Sequence, residues 1–132
     1  MKLITRDTDY AVRALSFIAS SSKDIVPAAE LVRELKVPRP FLRKILQRLN
    51  KKKVLRSHKG KGGGFSLIVA PNKIFLLGLI RIFQGPLALN ECFLKKLPCP
   101  NMKSCVLRRK IKNIEGHMLN ELSPITIASL LK

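Results

Sequence analysis

Residues 27–52 read P-A-A-E-L-V-R-E-L-K-V-P-R-P-F-L-R-K-I-L-Q-R-L-N-K-K, which predicts two short helices joined by a turn. Proline is favoured at the first position of a helix, so we expect the first helix to begin at Pro27. The two prolines of K-V-P-R-P prevent this helix from continuing. The next helix begins at Phe41, and its predicted inward-facing residues are Phe41, Leu42, Ile45, Leu46 and Leu49.

The outward face of this second helix is strongly basic. Its residues are Arg43, Lys44, Gln47, Arg48, Lys51 and Lys52. A basic face could be only a solvated surface, but ordinary surfaces mix both signs of charge, and no Asp or Glu occurs from residue 35 to residue 90. We therefore interpret residues 27–52 as a helix-turn-helix that contacts DNA. Arg39, Arg43 and Lys44 lie near the helix start, where base edges are reached, whereas Lys51 and its neighbours suit phosphate.

A glycine-rich hairpin follows the two helices. Residues 54–58 and 65–69 are strand candidates, and K-G-K-G-G-G between them can form a turn with positive φ angles. A basic hairpin at this place is typical of the wing of a winged helix, with Lys59 and Lys61 at its tip on DNA.

The spacing of apolar residues predicts further helices before the helix-turn-helix and after the hairpin. One covers residues 8–20, another residues 74–83, and a long one begins near Ser104. The long helix carries an apolar stripe that a second copy of the chain would cover: Leu107, Ile111, Ile114, Met118 and Leu122. We expect a mainly α fold with a small β-hairpin wing. Its parts are a winged helix-turn-helix over 1–85, a cysteine-containing cluster or sensor loop over 86–106, and a dimerisation helix and tail over 104–132.

Composition narrows the function classes. The chain has 132 residues, 26 Lys+Arg against 8 Asp+Glu, a net charge of +18, and 46% hydrophobic residues, which excludes basic disorder. Nucleic acid is the natural partner, and an anionic membrane surface is the weaker alternative.

The sequence has no signal peptide and no apolar run of the ~20 residues that a membrane span needs. We therefore expect a cytoplasmic protein without membrane attachment. The sequence contains no nucleophile–base pair, carboxylate dyad or phosphate-binding loop, so we expect neither an enzyme activity nor a small-molecule substrate.

Three cysteines, Cys92, Cys99 and Cys105, lie close together. Their odd number argues against a disulfide framework, and gaps of six and five residues are too wide for a zinc knuckle. Three thiolates on one loop can hold an iron–sulfur cluster; the alternative is three unconnected thiols. His117 lies about 18 Å along a helix from Cys105, at ~1.5 Å per residue, which is too far for it to be the fourth ligand of a cluster in its own chain. We therefore expect a structural role for His117. For His58 in the wing we expect a phosphate contact or plain exposure.

Taken together, these pieces resemble the IscR/NsrR-type (Rrf-type) family of bacterial winged-helix transcription regulators. The resemblance covers essentially the whole chain. The segments that carry it are T-D-Y-A-V-R-A-L at 8–15, K-G-K-G-G-G-F at 59–65, Q-G-P-L-A-L at 84–89, where the family has E-G-P-L-A-L, and L-S-P-I-T-I-A-S-L-L at 122–131.

The resemblance implies a homodimer that binds a partly palindromic DNA operator, and a [2Fe–2S] or [4Fe–4S] cluster on Cys92, Cys99 and Cys105. Some members take a histidine three residues beyond the third cysteine as fourth ligand, but Arg108 stands there in this chain. In others an aspartate of the other subunit reaches the cluster, and that residue maps to Asp9. An ordinary helix-start carboxylate, paired with Arg13, is the alternative role of Asp9.

The sequence therefore predicts a DNA-binding transcription regulator, for instance a repressor, that senses redox state, nitric oxide or iron–sulfur status through its cluster. A cluster-free regulator of the same family, using thiol redox or another signal, is the alternative. The family often has acidic or polar residues where this chain has Arg43 and Lys44, so an operator sequence cannot be transferred.

Overall fold

The structure is a computed structural model that describes residues 2–87 and 106–131. Its helices and strands are, in chain order, α1 Arg6–Ser20, α2 Ala28–Leu35, α3 Arg39–Lys51, β1 Leu55–His58, β2 Gly64–Leu67, a 3-10 turn Pro71–Lys73, α4 Leu76–Gln84, α5 Val106–Leu122 and α6 Ile127–Leu130. This order confirms the predicted mainly α fold with one antiparallel hairpin. The predicted loop with Cys92, Cys99 and Cys105 lies outside the described residues.

The core forms where the apolar stripes of the helices meet. Helix α1 contributes Ala11, Leu15 and Ile18, all three buried as their helical spacing predicts. Helix α3 packs its stripe against α1 and β1, and the buried residues of that stripe are Leu42, Ile45, Leu46 and Leu49. The opposite side of α3 therefore stays in solvent.

The start of α3 corrects two predictions. The helix begins at Arg39, so Pro40 lies in its first turn, where the missing N–H would have had no partner in the helix anyway. Phe41 does not face inward: it is 40% exposed. A step of ~100° per residue places Phe41 beside the buried stripe that begins at Leu42.

The wing is a four-residue antiparallel pairing, from Leu55 opposite Leu67 to His58 opposite Gly64. A further backbone pair joins β2 to the segment that leads into α2, since Val26 and Phe65 exchange two N–H···O bonds of 2.9 Å. A Cβ at Gly64, which has a φ of 156°, would collide with the carbonyl oxygen of Val26. Glycine at this position thus lets the wing attach to the start of the helix-turn-helix.

The C-terminal tail packs on the N-terminal part of the chain. Ile127 is buried in the core, and its N–H donates to the Ile74 oxygen at 2.9 Å. Thr126 begins α6 with a capping box, in which its side chain and that of Ser129 each accept from the other residue's N–H. The predicted division at residue 85 stays a prediction, but the tail shares its core with α1.

Helix α5 has no buried residue within the part of the chain that the structure describes. Leu107 is 66% and Ile114 is 58% exposed, although both belong to the predicted apolar stripe. Among the described residues, no helix is long and apolar enough to cross a membrane.

Candidate nucleic-acid interface

Helix α3 turns its polar side toward solvent because its apolar residues fill one stripe only. Pro40, Lys44, Gln47 and Lys51 are exposed and lie close to the direction opposite the buried stripe. Arg39 and Arg43 lie on the flank toward the wing. Since no acidic residue occurs from residue 35 to residue 90, this face carries positive charges and no negative one.

An open groove of about 470 Å³ separates α3 from the wing. Arg39 and Arg43 line it from α3, and Lys59 lines it from the wing. Apolar side chains form its floor: Ala28, Val32, Leu42, Leu46 and Phe65. Three of the seven predicted DNA-contacting residues thus lie around one concave surface. Such a surface can accept a polyanion backbone.

Three polar residues of this groove were absent from the predicted contact set. Gln47 and Asn50 line it from α3, and Ser57 lines it from β1. Gln47 and Asn50 follow Arg43 at steps of four and three residues, a helical spacing that placed them on the same side from the start. Their side chains are uncharged, so the cluster of basic residues that predicts the contact set does not indicate them.

The other flank of α3 is occupied by contacts within the chain. The Arg48 guanidinium carbon lies 5.9 Å from the centre of the Phe83 ring in α4. That of Arg6, in the first turn of α1, lies 4.8 Å from the centre of the Phe41 ring. A cation over the face of an aromatic ring is attracted to the ring electrostatically. Arg48, predicted to contact DNA, therefore packs on α4 on the side away from the groove.

The wing tip carries two exposed cations, Lys59 and Lys61. Gly60 and Gly62 between and beside them have φ angles of 87° and 79°, a region that glycine enters without strain. The N–H of Gly63 donates to the Gly60 oxygen at 3.0 Å and closes the turn. The turn is thus a defined structure, which presents both ammonium groups to solvent.

The two histidines have different surroundings. His58 Nε2 lies 2.8 Å from Ser66 Oγ on the neighbouring strand, so the ring is held within the wing rather than simply exposed. His117 lies exposed on α5.

Of the predicted cluster ligands, the structure describes only Asp9. Its Oδ2 lies 3.1 Å from Arg13 Nε, one turn further along α1, and the carboxylate is 44% exposed. The pairing that we weighed as the alternative for Asp9 is therefore present. Within residues 2–87 and 106–131, no three His, Cys, Asp or Glu side chains come together as a metal site. Arg108, at the position of the family's histidine ligand, is exposed on α5.

Gln84, the first residue of the Q-G-P-L-A-L segment, anchors the chain start. Its Oε1 accepts hydrogen bonds from the Thr5 N–H at 3.0 Å and the Thr8 hydroxyl at 2.8 Å. Its Nε2 donates to the Leu3 oxygen at 3.1 Å. The last turn of α4 is therefore fastened to the first turn of α1.

A helix-turn-helix with a cationic second helix, followed by a glycine-rich hairpin, defines a winged-helix DNA-binding protein. The chain belongs to the Rrf2 family, described as iron-dependent transcriptional regulators, whose family model matches residues 4–132. It is accordingly a DNA-binding transcription regulator, and the expected absence of an enzyme activity agrees with relatives that are named as regulators.

Two relatives illustrate the sequence likeness. A protein of Aquifex aeolicus, provisionally named as an HTH-type transcriptional regulator, is 31% identical over 92% of this chain and 86% of its own length. The HTH-type transcriptional repressor NsrR of Streptomyces coelicolor is 28% identical over 97% of this chain and 87% of its own.

Solved structures share the fold at low identity. CymR, the global cysteine regulator of B. subtilis, superposes with a TM-score of 0.74 and 18% identity over 99% of this chain and 97% of its own. T. potens IscR superposes with a TM-score of 0.75 and 20% identity over 99% of this chain and 86% of its own. These likenesses confirm the fold.

Proposed function

We propose that the chain is a homodimeric repressor that binds a palindromic operator and whose affinity responds to an iron–sulfur cluster on Cys92, Cys99 and Cys105. The observation that carries the DNA-binding part is the cationic groove between α3 and the wing. Arg39 and Arg43 approach it from one wall and Lys59 from the other, so a phosphate backbone in the groove would meet cations on both sides.

Helix α5 supports the dimer. No residue of its apolar stripe is fully buried within the described residues, and exposing large aliphatic side chains such as Leu107 and Ile114 along one helix is unfavourable in water. A second α5 would cover the stripe and place two copies of α3, the recognition helix, on one DNA duplex. Two-fold symmetric proteins bind palindromic sites for this reason.

The donor set fits an iron–sulfur cluster. Thiolates are the usual ligands of such clusters, and three cysteines are available in the segment between α4 and α5. A carboxylate is the fourth donor that we assign, from Asp9 of the second copy, and Asp9 is accessible at the start of α1. To serve as a ligand, Asp9 would weaken its 3.1 Å contact with Arg13. The bound cluster would supply a centre that reacts with oxidants or nitric oxide.

The connections of the chain offer a route from this segment to DNA. The segment begins just after Gln84, whose side chain holds Thr5 and Thr8 of α1. The same end of α1 contacts α3 through Arg6 and Phe41. A rearrangement of the segment would thus change the restraints on α1, and α1 would pass the change to the start of the recognition helix.

A cluster-free regulator is the second candidate. Its support is the Asp9–Arg13 pair, which already occupies the carboxylate. In that case the three thiols would act by oxidation or through another signal.

Anaerobic purification and iron analysis separate the two. We expect a coloured protein with visible absorption and bound iron and sulfide, and loss of both in Cys92→Ala, Cys99→Ala and Cys105→Ala. Protein that stays colourless after anaerobic reconstitution would contradict the cluster. Asp9→Ala should change the visible spectrum, whereas Asp7→Ala, an exposed carboxylate in the same first turn, should not.

A further inference from the structure

Gln47 occupies the middle of the exposed face of α3. Its side chain lines the groove toward the wing and also the shallow depression on the other side of the helix, which Arg48, Lys51 and Lys52 complete. Gln47 therefore lies at the centre of the exposed face of α3, the part of the helix that would enter the major groove of DNA first.

The neighbours of Gln47 on this face are cations. Arg43 and Lys44 precede it by one turn, and Lys51 follows it by one turn. These three charges supply attraction to phosphate, to which a neutral amide adds little. An amide differs from them because it carries a donor and an acceptor together.

The Gln47 amide has no hydrogen bond within the described parts of the chain. Gln84 shows the contrast: its amide bonds to the backbone of Leu3 and Thr5 and to the Thr8 hydroxyl. Both polar atoms of Gln47 are therefore available to a ligand.

We infer that Gln47 is a specificity-determining residue that reads adenine in the major groove, beside a guanine read by Arg43. A glutamine amide can accept from adenine N6 and donate to N7, and a guanidinium can donate to guanine O6 and N7. The two residues are one helical turn apart, about 6 Å at ~1.5 Å per residue. Base pairs stack at about 3.4 Å, so the A·T and G·C pairs lie within about two steps of each other in each half-site.

This inference rests on the proposed binding of DNA through α3, and one experiment can separate the two. Wild-type protein selects its preferred sites from random double-stranded oligonucleotides, and Gln47→Ala is put through the same selection. We expect the variant to lose its preference at one A·T position per half-site and to keep the G·C preference. On the wild-type site its affinity should fall about 5- to 150-fold.

Lys51→Ala is the matched control, because Lys51 lies one turn further along the same face. It should weaken binding to all sequences equally and leave every preference unchanged. Replacing the selected adenine by 7-deazaadenine should weaken the wild type but not Gln47→Ala, since only the wild type uses N7.

Two results would overturn the inference. One is an unchanged adenine preference in Gln47→Ala, and the other is an equal loss on all sequences, which would assign Gln47 to the DNA backbone. Failure of the wild type to select any sequence is a different result, and it would contradict operator binding itself. Thermal unfolding of Gln47→Ala should match the wild type, because the residue is exposed.

Discussion

Thr8 donates its hydroxyl hydrogen to Gln84 Oε1 at 2.8 Å, although the two residues lie 76 positions apart in the sequence. Thr8 is completely buried in the first turn of α1, and Gln84 ends α4. The same Oε1 accepts from the Thr5 N–H, and Nε2 donates to Leu3. One amide thus uses its donor and its acceptor to hold the chain start against α4.

Replacing Gln84 by Glu, the residue that begins the corresponding family segment, should destabilise this protein. A carboxylate still accepts from Thr5 and Thr8 but cannot donate to the Leu3 oxygen, which it would face with a like partial charge. We expect a loss of about 1–2 kcal/mol in the free energy of unfolding. Urea denaturation measures it.

Gln84→Ala should cost about 2–3 kcal/mol because the Thr5 N–H and the Thr8 hydroxyl both lose their acceptor. Gln47→Ala is the control, since that glutamine is exposed and has no partner in the described parts of the chain. Equal stability of both alanine variants would mean that the Gln84 contacts contribute nothing.

The sequence predicted most of the fold because helical apolar spacing reports burial directly. The stripes of α1 and α3 are buried as expected, with Phe41 the exception. Phe41 borders the stripe, and only the packing of α1, which brings Arg6 over its ring, decides where it lies. Spacing has no information about such a contact.

The candidate site was predicted less completely, for a related reason. Clustered charge located the face of α3 and the wing tip, but it could not indicate the neutral Gln47 and Asn50 in the groove. Nor could it indicate that Arg48 packs over Phe83. The hydrogen bonds of Gln84 join distant parts of the chain and leave no periodic signal in the sequence.

Gly64→Ala should distort the wing. The residue has a φ of 156°, and an added Cβ would meet the backbone of Val26, with which Phe65 forms its two backbone bonds. We expect a loss of about 1–3 kcal/mol in stability, the usual cost of a strained backbone position. Thermal unfolding reports the effect.

The control substitution is Gly78→Ala in α4, where no atom lies within 4 Å of an added Cβ. Alanine is the better helix former, so stability should rise by up to about 1 kcal/mol. If the two alanines shifted the melting temperature in the same direction, the role given to Gly64 would be wrong.

The wing lysines should contribute to the salt dependence of DNA binding. Each phosphate contact releases a counterion, so Lys59→Ala and Lys61→Ala should each reduce the slope of log affinity against log salt by about 1. Fluorescence anisotropy over a salt series measures the slope. Lys23→Ala, whose ammonium already pairs with Glu30 at 2.7 Å, should leave it unchanged. Unchanged slopes in both wing variants would remove the wing from the interface.

Reversing charge on the recognition helix should abolish operator binding without changing the oligomeric state. Arg43→Glu places a carboxylate in the groove, and Lys44→Glu places one on the exposed face of α3, where like charge repels phosphate. Normal gel shifts with these variants would contradict the assignment of α3. Arg33→Glu on α2, a cation outside the groove that contacts Glu34 at 3.4 Å, is the control for a change of net charge.

A charge on the apolar stripe of α5 should separate the proposed dimer. Ile114 is 58% exposed in the single chain. In the proposed dimer a second copy covers this position, so a Glu there would lose its hydration when the dimer forms, and dimerisation would become unfavourable. Ile114→Glu should therefore sediment as a monomer in analytical ultracentrifugation at concentrations where the wild type is dimeric. Asn113→Glu adds the same charge to the neighbouring exposed position and should stay dimeric. A dimeric Ile114→Glu would mean that the stripe of α5 is not the contact between copies.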